Sequence, residues 1–158
     1  MPDPGPQGLE LLLRAISFAG ERHDGQMRKD GKTPYFAHPV RVMTIASQVF
    51  GVTDPEVLAA AVLHDTVEDT DTDRDDIASR FGERVADYVI LLTKDKRLPE
   101  AEREERYFAS LATAPVEVKL CKMSDTIDNL IDSRGLSAAH GAKTLAKAKR
   151  LVGAFEGR

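Results

Sequence analysis

Apolar positions along the chain recur at helical rather than strand spacing. Leu9, Leu12, Ile16, Ala19 and His23 step by three and four, which predicts a first helix. A polar, glycine-containing loop follows, "DGQMRKDGKTPYFA". A second helix opens near His38, with Pro39 in a position that suits a first turn, and closes near Gly51. Asp54 is placed to cap a third helix, with Pro55 just inside it and Glu56 in its first turn. Shorter helices are predicted over 73–81 and 83–92, and another over 99–111. Val116, Leu120, Met123, Ile127 and Leu130 form a further stripe at steps of four and three. Ser137 is placed to cap a last helix, with Leu145, Ala148, Val152 and Phe155 on its inner face. No window alternates like a strand between two turn signals. The pattern predicts an all-α, orthogonal helical bundle.

The third helix breaks the usual rule that acids sit on a wet face. Val57 to Leu63 is apolar on every side, the mark of a buried helix. The run ends directly in His64 and Asp65, and seven acids lie between Asp65 and Asp76. A solvated acidic turn that caps the next helix accounts for Asp71, Asp73, Asp75 and Asp76. It does not account for His64 and Asp65, which are the tail of the apolar run. A buried carboxylate and imidazole must be paired, hydrated or bound to a cation. The first basic residue after them is Arg74.

A divalent metal resolves this. His38 opens the second helix in "PYFAHP", and Asp125 lies in "KMSDTIDNL". On that later helix Asp125, Asn129 and Asp132 share one face. His38, His64, Asp65 and Asp125 supply two nitrogens and two oxygens, a set that suits manganese, iron or zinc. His23 and His140 are read as structural.

Composition narrows the function classes. A chain of 158 residues with 42% hydrophobic positions suits one globular domain. The expected division is a disordered segment over residues 1–8 and a single domain over 9–158. The net charge of −4, without a basic tail or stripe, argues against nucleic acid as a partner. No apolar run is long enough to span a membrane. The N-terminus "MPDPGPQG" lacks the pattern of a signal peptide, so a cytoplasmic protein is expected. The single cysteine, Cys121, excludes an internal disulfide and a thiolate cluster, and reads as a small core residue.

The segments "HDGQMRKDGKTPYFAHP", "VLHDTVEDT", "FGERVADYVILLTK" and "KMSDTIDNL" appear in this order. Together they resemble the HD-domain metal-dependent phosphohydrolases, and specifically the hydrolase domain of the RelA/SpoT-type alarmone enzymes. The resemblance covers roughly residues 10–135. It implies an HD-type bundle, a stand-alone small alarmone hydrolase, and removal of the 3′-pyrophosphate of (p)ppGpp to leave GDP or GTP. It implies manganese (Mn2+) as the metal, held by His38, His64, Asp65 and Asp125. Glu68 and Asp69 match the family's catalytic Glu-Asp pair. Arg28 and Lys29 match the basic pair that approaches the guanine and phosphates, and Asn129 matches the asparagine one turn after the last ligand. A third helix continuing past Asp65 would carry Glu68 one turn beyond His64. Either acid could then orient or deprotonate a water. "TKDKR", Thr93 to Arg97, is a further candidate for cationic contacts.

Two departures bear on the substrate. The loop "RKDGKTPYFAHP" is one residue longer than the usual pattern. Thr126 replaces a customary basic residue, and Asp128 stands in the place of His or Tyr, where an acid would repel an anionic substrate unless it faces away. The metal set is untouched, but the nucleotide is left open. The alternatives are a phosphohydrolase of another nucleotide such as NADPH, or a nucleotide-binding HD module without turnover. The segment after Arg134 carries no motif and reads as a packing helix.

Overall fold

The computed structural model describes residues 5–157. Nine helices are present among the described residues: α1 (Gly5–Arg22), α2 (Ala37–Gln48), α3 (Pro55–Leu63), α4 (Thr66–Asp69), α5 (Arg74–Phe81), α6 (Glu83–Leu91), α7 (Glu100–Ala112), α8 (Val116–Ser133) and α9 (Ala138–Phe155). No strand occurs among them; the one bridge pairs Met27 with Pro34 across the loop after α1. The all-α bundle expected from the apolar spacing is the fold. The expected disordered segment over 1–8 falls in part on residues 1–4, which lie outside the described residues. Residues 5–8 form the first turns of α1, which therefore starts ahead of the apolar stripe at Leu9.

The bundle is built around α3. Val57, Ala59, Ala60, Ala61, Val62 and Leu63 are all buried, because α1, α2, α6 and α8 pack around this helix. The run of alanines lets those neighbours approach closely, while Val62 and Leu63 fill the space between them. Each fully buried Val or Leu contributes roughly 1.5–3 kcal/mol by leaving water. One apolar cluster joins α3 to α1, α5 and α6. A second joins it to α2, α7, α8 and α9 through Leu111, Val118, Cys121 and Leu151. Met43 and Tyr88 pack against both.

Polar caps set where these helices begin. The Asp54 carboxylate accepts the Glu56 N–H at 2.9 Å, and Pro55 fixes the first turn of α3. Asp73 and Asp76 form a reciprocal capping box at the start of α5. Ser137 accepts the His140 N–H at 3.2 Å at the start of α9. These are the caps the sequence pattern marks, and they absorb part of the acid density that follows α3.

The third helix does not continue through the acidic segment. It ends at Leu63, and a short turn through His64 and Asp65 leads into α4. Thr66 stabilises the break by donating its hydroxyl to the Leu63 carbonyl at 2.8 Å in the interior. Asp69 still lies one turn beyond Asp65, since its N–H reaches the Asp65 carbonyl at 2.9 Å.

Candidate metal centre and nucleotide cleft

The break after α3 turns His64 and Asp65 toward α2 and α8. His38 stands in the first turn of α2, and Asp125 in the middle of α8. All four sequence-marked metal candidates meet there. His38 Nε2 lies 2.8 Å from Asp125 Oδ1 and 3.6 Å from Asp65 Oδ2. His64 Nε2 lies 3.0 Å from Asp65 Oδ2 and 3.4 Å from Asp125 Oδ1. The donor atoms of His38, His64 and Asp65 fall within 4.8 Å of one another.

These residues fit a divalent cation. His64 Nδ1 is engaged by the Ala61 carbonyl at 2.7 Å, whereas its buried Nε2 has no hydrogen-bond partner. The Nδ1–H···O=C contact fixes the tautomer that leaves the Nε2 lone pair directed at the carboxylates. The electrostatics also favour positive charge at this point. Burial opposes protonation of His64, yet the nearby charges of Asp65 and Asp125 outweigh it and hold its pKa well above the ordinary value. Burial likewise opposes protonation of His38, and Asp125 and Asp128 raise its pKa. Burial pushes the Asp125 carboxyl up, but Lys122 and the two histidines bring it well below the usual carboxylate range. Two imidazole nitrogens and two carboxylates make a mixed donor set suited to a first-row divalent metal.

A layer of supporting contacts surrounds the four donors. His38 Nδ1 meets Asp128 Oδ2 at 2.7 Å, and Asp128 is fully buried, with Arg41 Nε donating to its other oxygen at 2.6 Å. The acid that sequence reasoning marked as a hazard to an anionic ligand faces His38 and Arg41. It is absent from the lining of the cleft described below. Tyr35 donates its hydroxyl to Asp65 Oδ2 at 2.6 Å, and burial followed by the charge of Asp65 raises its pKa. Sequence reasoning missed Tyr35, although it stands three residues before His38 in the quoted motif. Lys122, also missed, pairs with Asp125 Oδ2 at 2.7 Å, and its three-residue offset from Asp125 was the available signal.

The centre opens beside a cleft of about 580 Å³. Glu68 and Asp69 of α4 line it near the metal donors. Glu68 accepts the backbone N–H of Lys94 at 2.7 Å. Burial raises its pKa, with the charges of Asp65 and Asp69 adding to the effect and the Lys94 N–H opposing it. Asp69 pairs with Lys96 at 3.2 Å. The segment "TKDKR" thus serves the two acids through Lys94 and Lys96, while Arg97 turns to Asp95 at 2.9 Å.

Arg28 and Lys29, adjacent in sequence, divide their work. Arg28 donates to Asp132 at 2.7 and 2.9 Å and to Asn129 Oδ1 at 3.2 Å. Asn129 in turn donates to Asp125 Oδ1 at 3.1 Å, so it bridges Arg28 and a metal candidate. Lys29 lines the cleft without an ion pair among the described residues. The loop turns at Asp30 and Gly31. Asp30 accepts from the backbone of Lys32 and Thr33, and Gly31 adopts a positive φ of 71° that suits glycine. Thr126 lines the cleft with its hydroxyl bonded to the Lys122 carbonyl at 2.9 Å.

The other two histidines part company. His23 is buried, with Nδ1 at 2.9 Å from Gln26 and its ring against Tyr35, in keeping with a structural role. His140 lies on the cleft wall, as do Lys143, Thr144 and Lys147 of α9. The last helix packs the bundle through Ala148 and Leu151, with Phe155 against the same cluster, whereas Leu145 and Val152, expected on its inner face, are exposed; the helix also forms one side of the candidate site.

Comparison with known proteins places this architecture. The HD domain family matches residues 15–152. The guanosine-3′,5′-bis(diphosphate) 3′-pyrophosphohydrolase MESH1 of Danio rerio is 45% identical over 123 residues, covering 77% of this chain and 68% of that protein. A guanosine-3′,5′-bis(diphosphate) 3′-pyrophosphohydrolase of Aquifex aeolicus is 41% identical over 128 residues, 79% of this chain but 18% of that longer protein. Among solved structures, a metazoan orthologue of SpoT described as hydrolysing ppGpp superposes with a TM-score of 0.85 at 34% identity, over 93% of this chain and 86% of that one. The chain belongs to the HD domain family.

Proposed function

We propose that the protein is a manganese-dependent hydrolase that removes the 3′-pyrophosphate of (p)ppGpp, yielding GDP or GTP and pyrophosphate. The observation that carries this reading is the meeting of His38, His64, Asp65 and Asp125 beside a cleft whose walls hold Glu68, Asp69 and several cations. The similarity to relatives named for this reaction supports the substrate. We read residues 9–158 as one hydrolase domain, supported by the packing of Met43 and Tyr88 against both apolar clusters. No described helix is long and apolar enough to cross a membrane.

The bound cation would supply Lewis acidity, making hydroxide accessible near neutral pH and offsetting charge on the phosphate under attack. The chain's own residues do the rest. His38 and His64 offer Nε2, fixed by Asp128 and the Ala61 carbonyl respectively. Glu68, held by the Lys94 N–H, takes up the proton of the attacking water through its carboxylate. Its partial burial raises its affinity for that proton. Asp69, beside it, orients the same water. Arg28, clamped by Asp132 and Asn129, presents its guanidinium plane toward the base and ribose. Lys29 meets phosphate as a point charge.

The test is a product assay with Mn2+ and ppGpp, with Glu68→Ala as control. Release of GDP and pyrophosphate by the wild type alone is expected. Absence of both products, with orthophosphate released from NADPH instead, would overturn the substrate.

A further inference from the structure

The helix that carries Glu68 and Asp69, α4, is four residues long. Its own backbone holds it by few bonds: the Asp69 N–H reaches the Asp65 carbonyl at 2.9 Å, and the Thr70 N–H the Thr66 carbonyl at 3.1 Å. The last carbonyls of a helix have no partner within it. The Asp69 carbonyl finds one outside, accepting from Gln26 Nε2 at 3.0 Å. Two residues on, the Asp71 carbonyl accepts from Arg22 at 3.1 Å. Both donors come from the end of α1 and the turn that follows it.

Gln26 is itself held at every polar atom. Gly25, at a positive φ of 78°, turns the chain so that the Gln26 N–H reaches the His23 carbonyl at 3.0 Å. The Gln26 carbonyl accepts the Tyr35 N–H at 2.8 Å. A carbonyl only accepts, so the amide nitrogen of Gln26 faces Asp69 and its Oε1 faces His23. His23 Nδ1, at 2.9 Å, is therefore the donor of that contact. The His23 ring is buried and its Nε2 has no hydrogen-bond partner, which leaves Gln26 as its polar anchor. The Glu68 side chain is fixed separately, by the Lys94 N–H at 2.7 Å. Gln26 fixes the backbone of the turn that bears both acids.

We propose that Gln26, oriented by His23, is a positioning residue for Glu68 and Asp69, holding the end of α4 so that both acids meet the attacking water. The inference rests on the reading of Glu68 and Asp69 as the catalytic acids. Gln26 touches neither carboxylate and acts through the backbone alone.

Two variants test it. Gln26→Met removes both side-chain bonds without adding charge. Gln26→Glu is nearly isosteric and keeps the acceptor for His23, but sets an oxygen against the Asp69 carbonyl; it carries the test alone should Gln26→Met fail to fold. In both, kcat for ppGpp with saturating Mn2+ should fall about 10–100-fold, the scale of a misplaced catalytic group. The backbone bonds of Gln26 survive, so the loop bearing Arg28 and Lys29 stays in place and KM should move less than twofold. The Kd for Mn2+ should also stay within twofold, since the Gln26 side chain touches none of the four metal candidates. Hydrogen exchange at the Asp69 and Thr70 amides should quicken, while Ala148 and Leu151 in α9 keep their rates. A wild-type kcat in Gln26→Glu, a shared fall in kcat and Mn2+ affinity, or equal quickening at Leu151 overturns the proposal. Exchange also separates it from the hydrolase reading. If the wild type releases no pyrophosphate, the assigned reaction falls, while quickening confined to Asp69 and Thr70 still supports the tie. Unchanged exchange at those two amides overturns it whatever the turnover.

Discussion

Asp128 Oδ2 lies 2.7 Å from His38 Nδ1, and Arg41 and Arg28 stand behind the same carboxylate at 2.6 and 3.9 Å. The contact fixes the ring of His38 with Nε2 turned toward Asp125 and Asp65. A carboxylate behind a ligating histidine orients it and raises its basicity, and removing such support typically weakens metal binding by about 10–100-fold. Asp128→Asn is therefore expected to raise the Kd for Mn2+ by about tenfold or more, measured by calorimetry, with helical content unchanged by circular dichroism. An unaltered Kd would show that the contact is packing alone.

Glu68 and the four candidate metal ligands should be separable by mutation. Glu68→Ala should lower kcat by about 10²–10⁴, the usual loss for a well-placed general base, while metal content stays at the wild-type level. Parallel loss of metal and activity would instead make Glu68 a ligand.

The loop that carries Arg28 and Lys29 has its own pH dependence. The Thr33 hydroxyl, then the Thr33 and Lys32 N–H groups, lower the exposed Asp30 carboxyl from 3.8 to about 2. A group whose folded pKa is depressed contributes order that is fully present above the unfolded pKa and lost as pH falls through the folded one. The loop should therefore keep its Lys32 and Thr33 amide protection above pH 3.8 and lose it toward pH 2. Hydrogen exchange at those two amides checks this, and Asp30→Ala should abolish the protection at every pH.

Leu63 ends the central helix immediately before His64 and Asp65 and is fully buried. Leu63→Ala should cost about 2–5 kcal/mol of unfolding free energy in urea titrations, through lost transfer and the cavity left behind. A cost below 1 kcal/mol would mean that the core around α3 closes over the gap.

What the sequence disclosed follows from what periodicity can carry. The buried character of α3 was plain because every position from Val57 to Leu63 is apolar. The four metal candidates were legible because His64 and Asp65 contradict that run, and two further candidates stand at helix positions. The break at His64 was not legible. It depends on Thr66 bonding back to Leu63 and on packing against α2 and α8. The fate of Asp128 was hidden for a similar reason. Its spacing puts it near the metal face of α8, but only its contacts with His38 and Arg41 show which way it points. The last helix looked like simple packing because its apolar positions recur at helical spacing, although Leu145 and Val152 are exposed. Its charged face gains meaning only when the fold sets it into the same cleft as Glu68.

The central claim is that His38 Nε2, His64 Nε2, Asp65 and Asp125 hold one divalent metal beside the cleft. Crystals grown with Mn2+ and measured at the manganese absorption edge test it most directly. The account predicts one anomalous peak within coordination distance of all four side chains, lost in Asp65→Ala. A peak on Glu68 and Asp69 alone, or none at the four residues, would contradict it.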